Sequence, residues 1–229
     1  MNSSIAALVV AVGLPCAAAQ GAIFFTFQDP GPGREVTLQQ EEDDSFSFSY
    51  SFDDTVSLFV TSDNGEIANT TFAETRLTLN MQTDTVPLVD QEGLLVTHLS
   101  GEFVFEDVSG MAPTTILTGL FDEAVATLLM GELMGQIEAS GSVAGSTIVG
   151  SLQLMAGEAL TSLMDPGATL GGRQTSSFAL SDLLGSDEGN GLALTGSAAY
   201  TGSSEVLVPA PGGAALLGLG GLVAMRRRR

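Results

Sequence analysis

Ser45-Phe46-Ser47-Phe48-Ser49-Tyr50-Ser51-Phe52 alternates aromatic and hydroxyl side chains without interruption. A period of two sets the rings on one face and the serines on the other, the pattern of a half-buried strand. Asp53-Asp54 breaks the alternation, residues 56–61 resume it, and Asp63-Asn64-Gly65 supplies side chains that tolerate positive φ in a hairpin turn. Further β-rich runs cover residues 76–81, 94–99, 102–105, 114–117, 146–154 and 192–200, mostly separated by Gly, Pro, Asp or Ser. Short strands punctuated in this way predict a mostly β fold, an antiparallel β-sandwich or a barrel-like single domain.

Two stretches fit a helix as well as a strand. Phe121, Val125, Leu128 and Leu129 share one helical face, and Asp122-Glu123 suits a first turn, but Gly131 would interrupt the helix and leaves a bent strand open over residues 121–134. Residues 178–184 read equally as a short helix or a strand. At most one or two short helices are expected in the body. No fixed internal period exists, which argues against a solenoid or propeller. Thr201-Gly202-Ser203-Ser204-Glu205 reads as a short polar linker closing the body.

Both termini carry a different pattern. Residues 5–14 form an apolar core, followed by Pro15 and Ala17-Ala18-Ala19, whose small side chains fit the −3 and −1 positions of a signal-peptidase site. Cleavage is expected before Gln20, with Ala17 and Ala19 as the recognised pair and residues 1–19 as the signal peptide. The only cysteine, Cys16, leaves with that peptide, so the mature chain has no thiol chemistry and needs no oxidative folding. At the other end, Val208-Pro209-Ala210-Pro211 precedes a glycine-rich apolar run over residues 212–225, and the chain ends on Arg226-Arg227-Arg228-Arg229. Fourteen helical residues span about 21 Å, short of a full bilayer core. The terminal arginines would hold that end in the cytoplasm and leave the body outside.

In its Pro pair, apolar run and basic cluster, the tail resembles the PEP-CTERM family of sorting tails, carried by exported proteins of bacteria that make an exosortase. The resemblance covers residues 208–229. Pro209 and Pro211 match the family's two prolines, and Ala210 stands where the family has glutamate. It implies recognition at Val208, Pro209, Ala210 and Pro211, with Arg226, Arg227, Arg228 and Arg229 as the basic stop, and removal of the rest of the tail. The implied partners are signal peptidase and an exosortase-like membrane enzyme.

Between these tails lies a body expected over residues 20–205, with the sorting tail, including a short C-terminal hydrophobic helix, over 206–229. The body holds all 27 acidic residues against three arginines, Arg34, Arg76 and Arg173, for a formal charge of −24. Such a field repels nucleic acid and anionic lipid and favours solubility, divalent cations or high salt. There is no lysine, which excludes Schiff-base and phosphate-gripping lysine chemistry.

Candidate chemistry is sparse. The acidic clusters Glu41-Glu42-Asp43-Asp44, Asp53-Asp54, Asp122-Glu123 and Asp187-Glu188 offer hard oxygen ligands for Ca²⁺, though none has calcium-loop spacing, and solvated turns explain them as well. His98 is the sole histidine, set to alternate with Val96 on one face of a strand; no G-x-S-x-G elbow accompanies it, and a single histidine excludes H-E-x-x-H zinc chemistry. Neither a nucleotide motif nor a tryptophan is present, which leaves Tyr50 and Tyr200 as candidate sugar-stacking side chains. Met130, Met134, Met155 and Met164 read as core filling. No catalytic, cofactor or metal residue is assigned. The chain therefore reads as a secreted, non-enzymatic surface or extracellular-matrix protein with a structural or adhesive role. The alternative is a Ca²⁺-assisted carbohydrate-binding module for exopolysaccharide, and a weaker third reading is a two-carboxylate glycan hydrolase.

Overall fold

The computed structural model describes residues 18–28, 34–40, 46–51, 56–63, 65, 67–83, 88–89, 94–129, 134–144, 147–187 and 191–208. Within them the chain forms β1 (Ala18–Gln28), β2 (Arg34–Gln40), β3 (Phe46–Ser51), β4 (Val56–Ser62), β5 (Thr70–Thr83), β6 (Leu88–Val89), β7 (Leu94–Asp107), β8 (Thr114–Leu129), β9 (Met134–Ala144), β10 (Thr147–Gly150), β11 (Leu152–Ala156), the one-turn helix α1 (Glu158–Thr161), β12 (Thr169–Asp187) and β13 (Gly191–Val208).

Every pairing is antiparallel, and the pairings close on themselves. β1 and β2 both run along β13, with partners Gln28↔Ala199 and then Arg34↔Gly196, so together they make one interrupted strand. β3 and β4 likewise run in succession along β5, and β1 pairs β4 while β2 pairs β3. From β5 the path continues through β7, β8, β9 and β12 back to β13. The result is an eight-strand, up-and-down antiparallel barrel. Of the two expected architectures the barrel is the one formed, and closure removes the free edges that a sandwich would have to protect.

Period-two alternation fills the barrel with rings. Phe25, Phe27, Phe103, Phe105, Phe178 and Tyr200 are fully buried inside it. Phe103 is the hub, with ring centroids at 5.2–5.7 Å from Phe105, Phe121, Phe178 and Tyr200. An eight-strand barrel is just wide enough for side chains to fill, and here aromatic rings fill it. The Phe103 ring lies against its cross-strand partner Gly119, where a Cβ would overlap the ring.

One end of the barrel is plugged. β8 and β9 pair over Val125–Leu129 and then separate, and the chain returns between them at Ser151, whose N–H donates to the Ser140 carbonyl (2.9 Å) and whose carbonyl accepts from Asp122 N–H (3.0 Å). β11 then pairs only with β8. Its other edge is satisfied by the buried Gln174 amide: Oε1 accepts from Leu154 N–H (2.9 Å) and Nε2 donates to Leu154 O (3.1 Å) and Ser204 Oγ (3.1 Å). Leu152, Leu154, Leu160, Met164 and Ala168 bury their side chains in this plug, and Met164 and Ala168 meet Ile23, Ile67 and Val206.

Two stretches left open between helix and strand are strand where described, and two other local expectations change. Residues 121–134 are not a helix: β8 runs to Leu129, and Met134 already belongs to β9. The cause is a bulge at Asp122-Glu123, where Glu123 has φ 60° and its N–H donates to Ser100 Oγ (3.3 Å). The bulge moves the inward series from Phe121 to Ala124 and Ala126 and turns Val125 outward, so Phe121 and Val125 do not share a face. Residues 178–184 are strand. The segment expected as a linker, 201–205, lies inside β13, which runs to Val208 with Gly202, Ser204 and Val206 buried. The one helix among the described residues, α1, falls where none was expected. The C-terminal apolar helix lies outside the described residues. Among the described residues, no helix is long and apolar enough to cross a membrane.

Candidate functional site

Where its side chains are described, most of the outer wall is polar. Thr26, Thr61, Thr71, Asn80, Glu102, Gln136, Glu138, Ser140, Thr175 and Thr201 all face solvent. Phe24, Phe59, Val96, Leu120 and Val125 are exposed among them.

On this wall the strand register aligns hydroxyls in two rows. One row reads Val125, Glu138, Ser177, Thr201 and Thr26 across β8, β9, β12, β13 and β1. The other reads Ser140, Thr175, Ser203 and Phe24 across β9, β12, β13 and β1. Because the middle of each row is Ser or Thr and the ends carry Phe24 and Val125, both 42% exposed, the wall is hollowed into a groove of about 690 Å³. Five strands at about 4.8 Å spacing give it a length of about 19 Å.

The groove combines hydroxyls and one carboxylate with the exposed carbon surface of Phe24 and Val125. Thr175 Oγ1 and Ser203 Oγ share a 2.7 Å hydrogen bond, which fixes both rotamers. Glu138 Oε1 accepts from Gln136 Nε2 at 2.6 Å and is the only carboxylate among the lining residues. Ser140, Ser177 and Thr201 keep their hydroxyls free of other described side chains. Glycoside hydrolysis needs a pair of carboxylates flanking the bond, and the groove supplies one.

The residues singled out by sequence fall elsewhere. His98 faces out on β7 beside Val96, as the alternation predicts, with Val125 as its cross-strand partner. Tyr200 is no stacking platform, because its ring is buried among Phe103, Phe105 and Phe178 at 4.7–5.2 Å. Burial pushes its phenol above the ordinary tyrosine range, with the adjacent Ser176 hydroxyl opposing the shift. Neither hydroxyl completes a hydrogen bond among the described residues. The Tyr50 side chain, Glu41-Glu42-Asp43-Asp44, Asp53-Asp54 and Glu188 lie outside the described residues. Asp122-Glu123 is solvent-exposed in the β8 bulge, and no group of three or more metal-ligating side chains comes together among the described residues. Met164 packs in the plug, whereas Met155 is 36% exposed and is not core filling.

Of the processing residues, Ala17, Pro209, Ala210, Pro211, Arg226, Arg227, Arg228 and Arg229 lie outside the described residues. Ala19 pairs with Leu207 in β1, and cleavage before Gln20 would leave the pairing from Ala22 onward intact. Val208 ends β13 and packs against the core, so it is part of the barrel.

The groove could not be read from the sequence, because Ser140, Thr175, Ser203 and Phe24 are far apart in the chain and meet only through register. A run of alternating hydroxyls, such as Thr175/Ser177 and Thr201/Ser203, is the one signal that pointed toward it. No protein-family model matches the chain, and no curated protein is similar to it in sequence.

Proposed function

We propose that the chain is an exported cell-surface or extracellular-matrix protein with a structural or adhesive role, released from a signal peptide before Gln20 and processed at Pro209–Pro211 by an exosortase-like enzyme. The observation that supports this most directly is the pairing of the two barrel ends. Ala22 faces Glu205 and Ile23 faces Ser204, so the N-terminus left by cleavage before Gln20 and the start of the C-terminal tail lie at the same end of the barrel. A membrane enzyme holding the C-terminal tail would meet that end of the barrel. The strand ends Gln40, Phe46, Thr83, Leu94, Leu129 and Met134 lie at the opposite end and would point away from the membrane. The −24 body is repelled by anionic lipid and fits the same orientation. An interior filled by rings leaves the polar outer wall as the surface with which such a protein would work.

Intact-mass analysis of protein recovered from the surface of its native host tests this reading. The expected mass begins at Gln20 and lacks Arg226–Arg229. Recovery of the four terminal arginines in the mature surface pool would overturn the exosortase-like half, and a retained residue 1–19 would overturn the export half.

A further inference from the structure

We infer that the outer-wall groove binds a neutral glycan laid across β8, β9, β12, β13 and β1, without a metal ion. The inference goes beyond the surface-protein reading and stands without it, because it concerns the chemistry of one face.

The lining selects the ligand class. Its floor presents Ser140, Thr175, Ser177, Thr201 and Ser203, hydroxyls that both donate and accept, with Glu138 as an acceptor already steadied by Gln136. A ligand dense in hydroxyls matches that lining, and vicinal hydroxyls can donate together to one carboxylate. Phe24 at one end offers an exposed ring face for the apolar side of a sugar ring. Other classes fit less well. An anionic polymer or nucleic acid meets the −24 field, and no cation lines the groove to offset it. An extended peptide seeks an unpaired strand edge, and here β9, β12, β13 and β1 are each paired on both sides. A lipid chain would need an apolar floor.

The face is also preorganised. Short Ser side chains and χ1-restricted Thr on a closed barrel lose little freedom on binding. The Thr175–Ser203 bond holds the centre of the second row in one arrangement.

Affinity electrophoresis of the full chain through gels containing dextran, a soluble β-glucan or galactomannan, with alginate as the anionic control, tests the inference. Retardation by at least one neutral polymer is expected, unchanged by EDTA, and none by alginate. T175V/S177A/T201V keeps the shape and β-propensity of the wall while removing three hydroxyls. It should weaken binding by about tenfold or more, each lost hydrogen bond being worth roughly fivefold. F24A should weaken it severalfold, and N80A, on exposed β5, should leave it unchanged. Should the triple variant lose its native circular dichroism, the single variant T201V carries the test with an expected loss of about fivefold. The inference is overturned if no neutral polymer retards the parent, if alginate retards it equally, if EDTA abolishes binding, or if the hydroxyl variants bind like the parent.

Discussion

β12 and β13 show two chemistries on one pair of strands. Inward they place Gln174, Ser176, Phe178, Tyr200, Gly202, Ser204 and Val206, all buried; outward they place Thr175, Ser177, Thr201 and Ser203. The two faces therefore tolerate change very differently. Inside, the rings pack against one another and the Gln174 amide and Ser204 hydroxyl bond to named partners, while Ser176 Oγ and Tyr200 Oη have none among the described residues. Outside, a hydroxyl touches water or one neighbour, and substitutions there should move stability by no more than about 0.5 kcal/mol. Stability is concentrated in the interior, and the wall is free to carry recognition.

The most severe break in that division is Phe103→Ala. Phe103 contacts Phe105, Phe121, Phe178 and Tyr200 and covers Gly119, so truncation removes the centre of the ring cluster. A loss of about 3–5 kcal/mol is expected. For a chain of this size that is a fall in Tm of about 10 °C or more, read by thermal melting. A fall of only 1–2 °C would mean that the cluster is not the core. An outer-wall substitution such as Thr201→Val in the same assay should leave Tm within about 2 °C.

Gln174→Leu ranks second. It keeps the volume but removes the amide that caps the free edge of β11, leaving the buried Leu154 N–H and C=O unpaired. Two such groups cost about 2–4 kcal/mol. Because the plug rather than the barrel depends on that cap, hydrogen exchange should accelerate first over residues 152–168. Uniform acceleration around the barrel would show that Gln174 is only core volume.

The strand content was legible because alternation is a local property. The closure of the barrel was not, since it depends on Ala18–Gln28 meeting Ala199–Val208 across the whole chain. Two of the misleading local signals meet at one bulge. Ser100-Gly101 separates two β-rich runs as a turn would, yet it lies within β7, where the register shifts between Leu99 and Gly101 and Gly101 adopts φ 154°. Opposite it, the bulge at Asp122-Glu123 puts Ala124 and Ala126 inside with Phe121 and leaves Val125 outside, against the helical face read from the sequence. Thr201–Glu205 resembled a linker because small polar residues normally mean solvent. Here Gly202 and Ser204 face inward, made small by the Tyr200 phenol lying over the one and bonded to the Gln174 amide at the other. The hydroxyl groove was hidden for a related reason: its rows are cross-strand, and no single segment contains more than two of its members in alternation.

Among interior substitutions the smallest expected effect at neutral pH comes from Tyr200→Phe, which probes a point where buried hydroxyls go unpaired among the described residues. Tyr200 Oη is buried without a hydrogen-bond partner among the described residues, and Ser176 Oγ beside it is in the same state. Removing an unpaired buried hydroxyl costs no hydrogen bond, so stability should stay level or rise by up to about 1 kcal/mol. The pH dependence has a definite sign. Burial raises the folded-state pKa of Tyr200 above its unfolded value, so above about pH 10 the unfolded chain releases a proton that the folded chain retains. The unfolded state then binds fewer protons, and stability falls with rising pH by up to about 1.4 kcal/mol per unit from this residue. Tyr200→Phe should remove that component, so parent and variant should diverge in urea melts between pH 9 and 11, with the variant the more stable. Equal alkaline slopes would mean that Tyr200 ionises freely, and a neutral-pH loss above about 2 kcal/mol would mean that its hydroxyl is hydrogen-bonded inside the barrel.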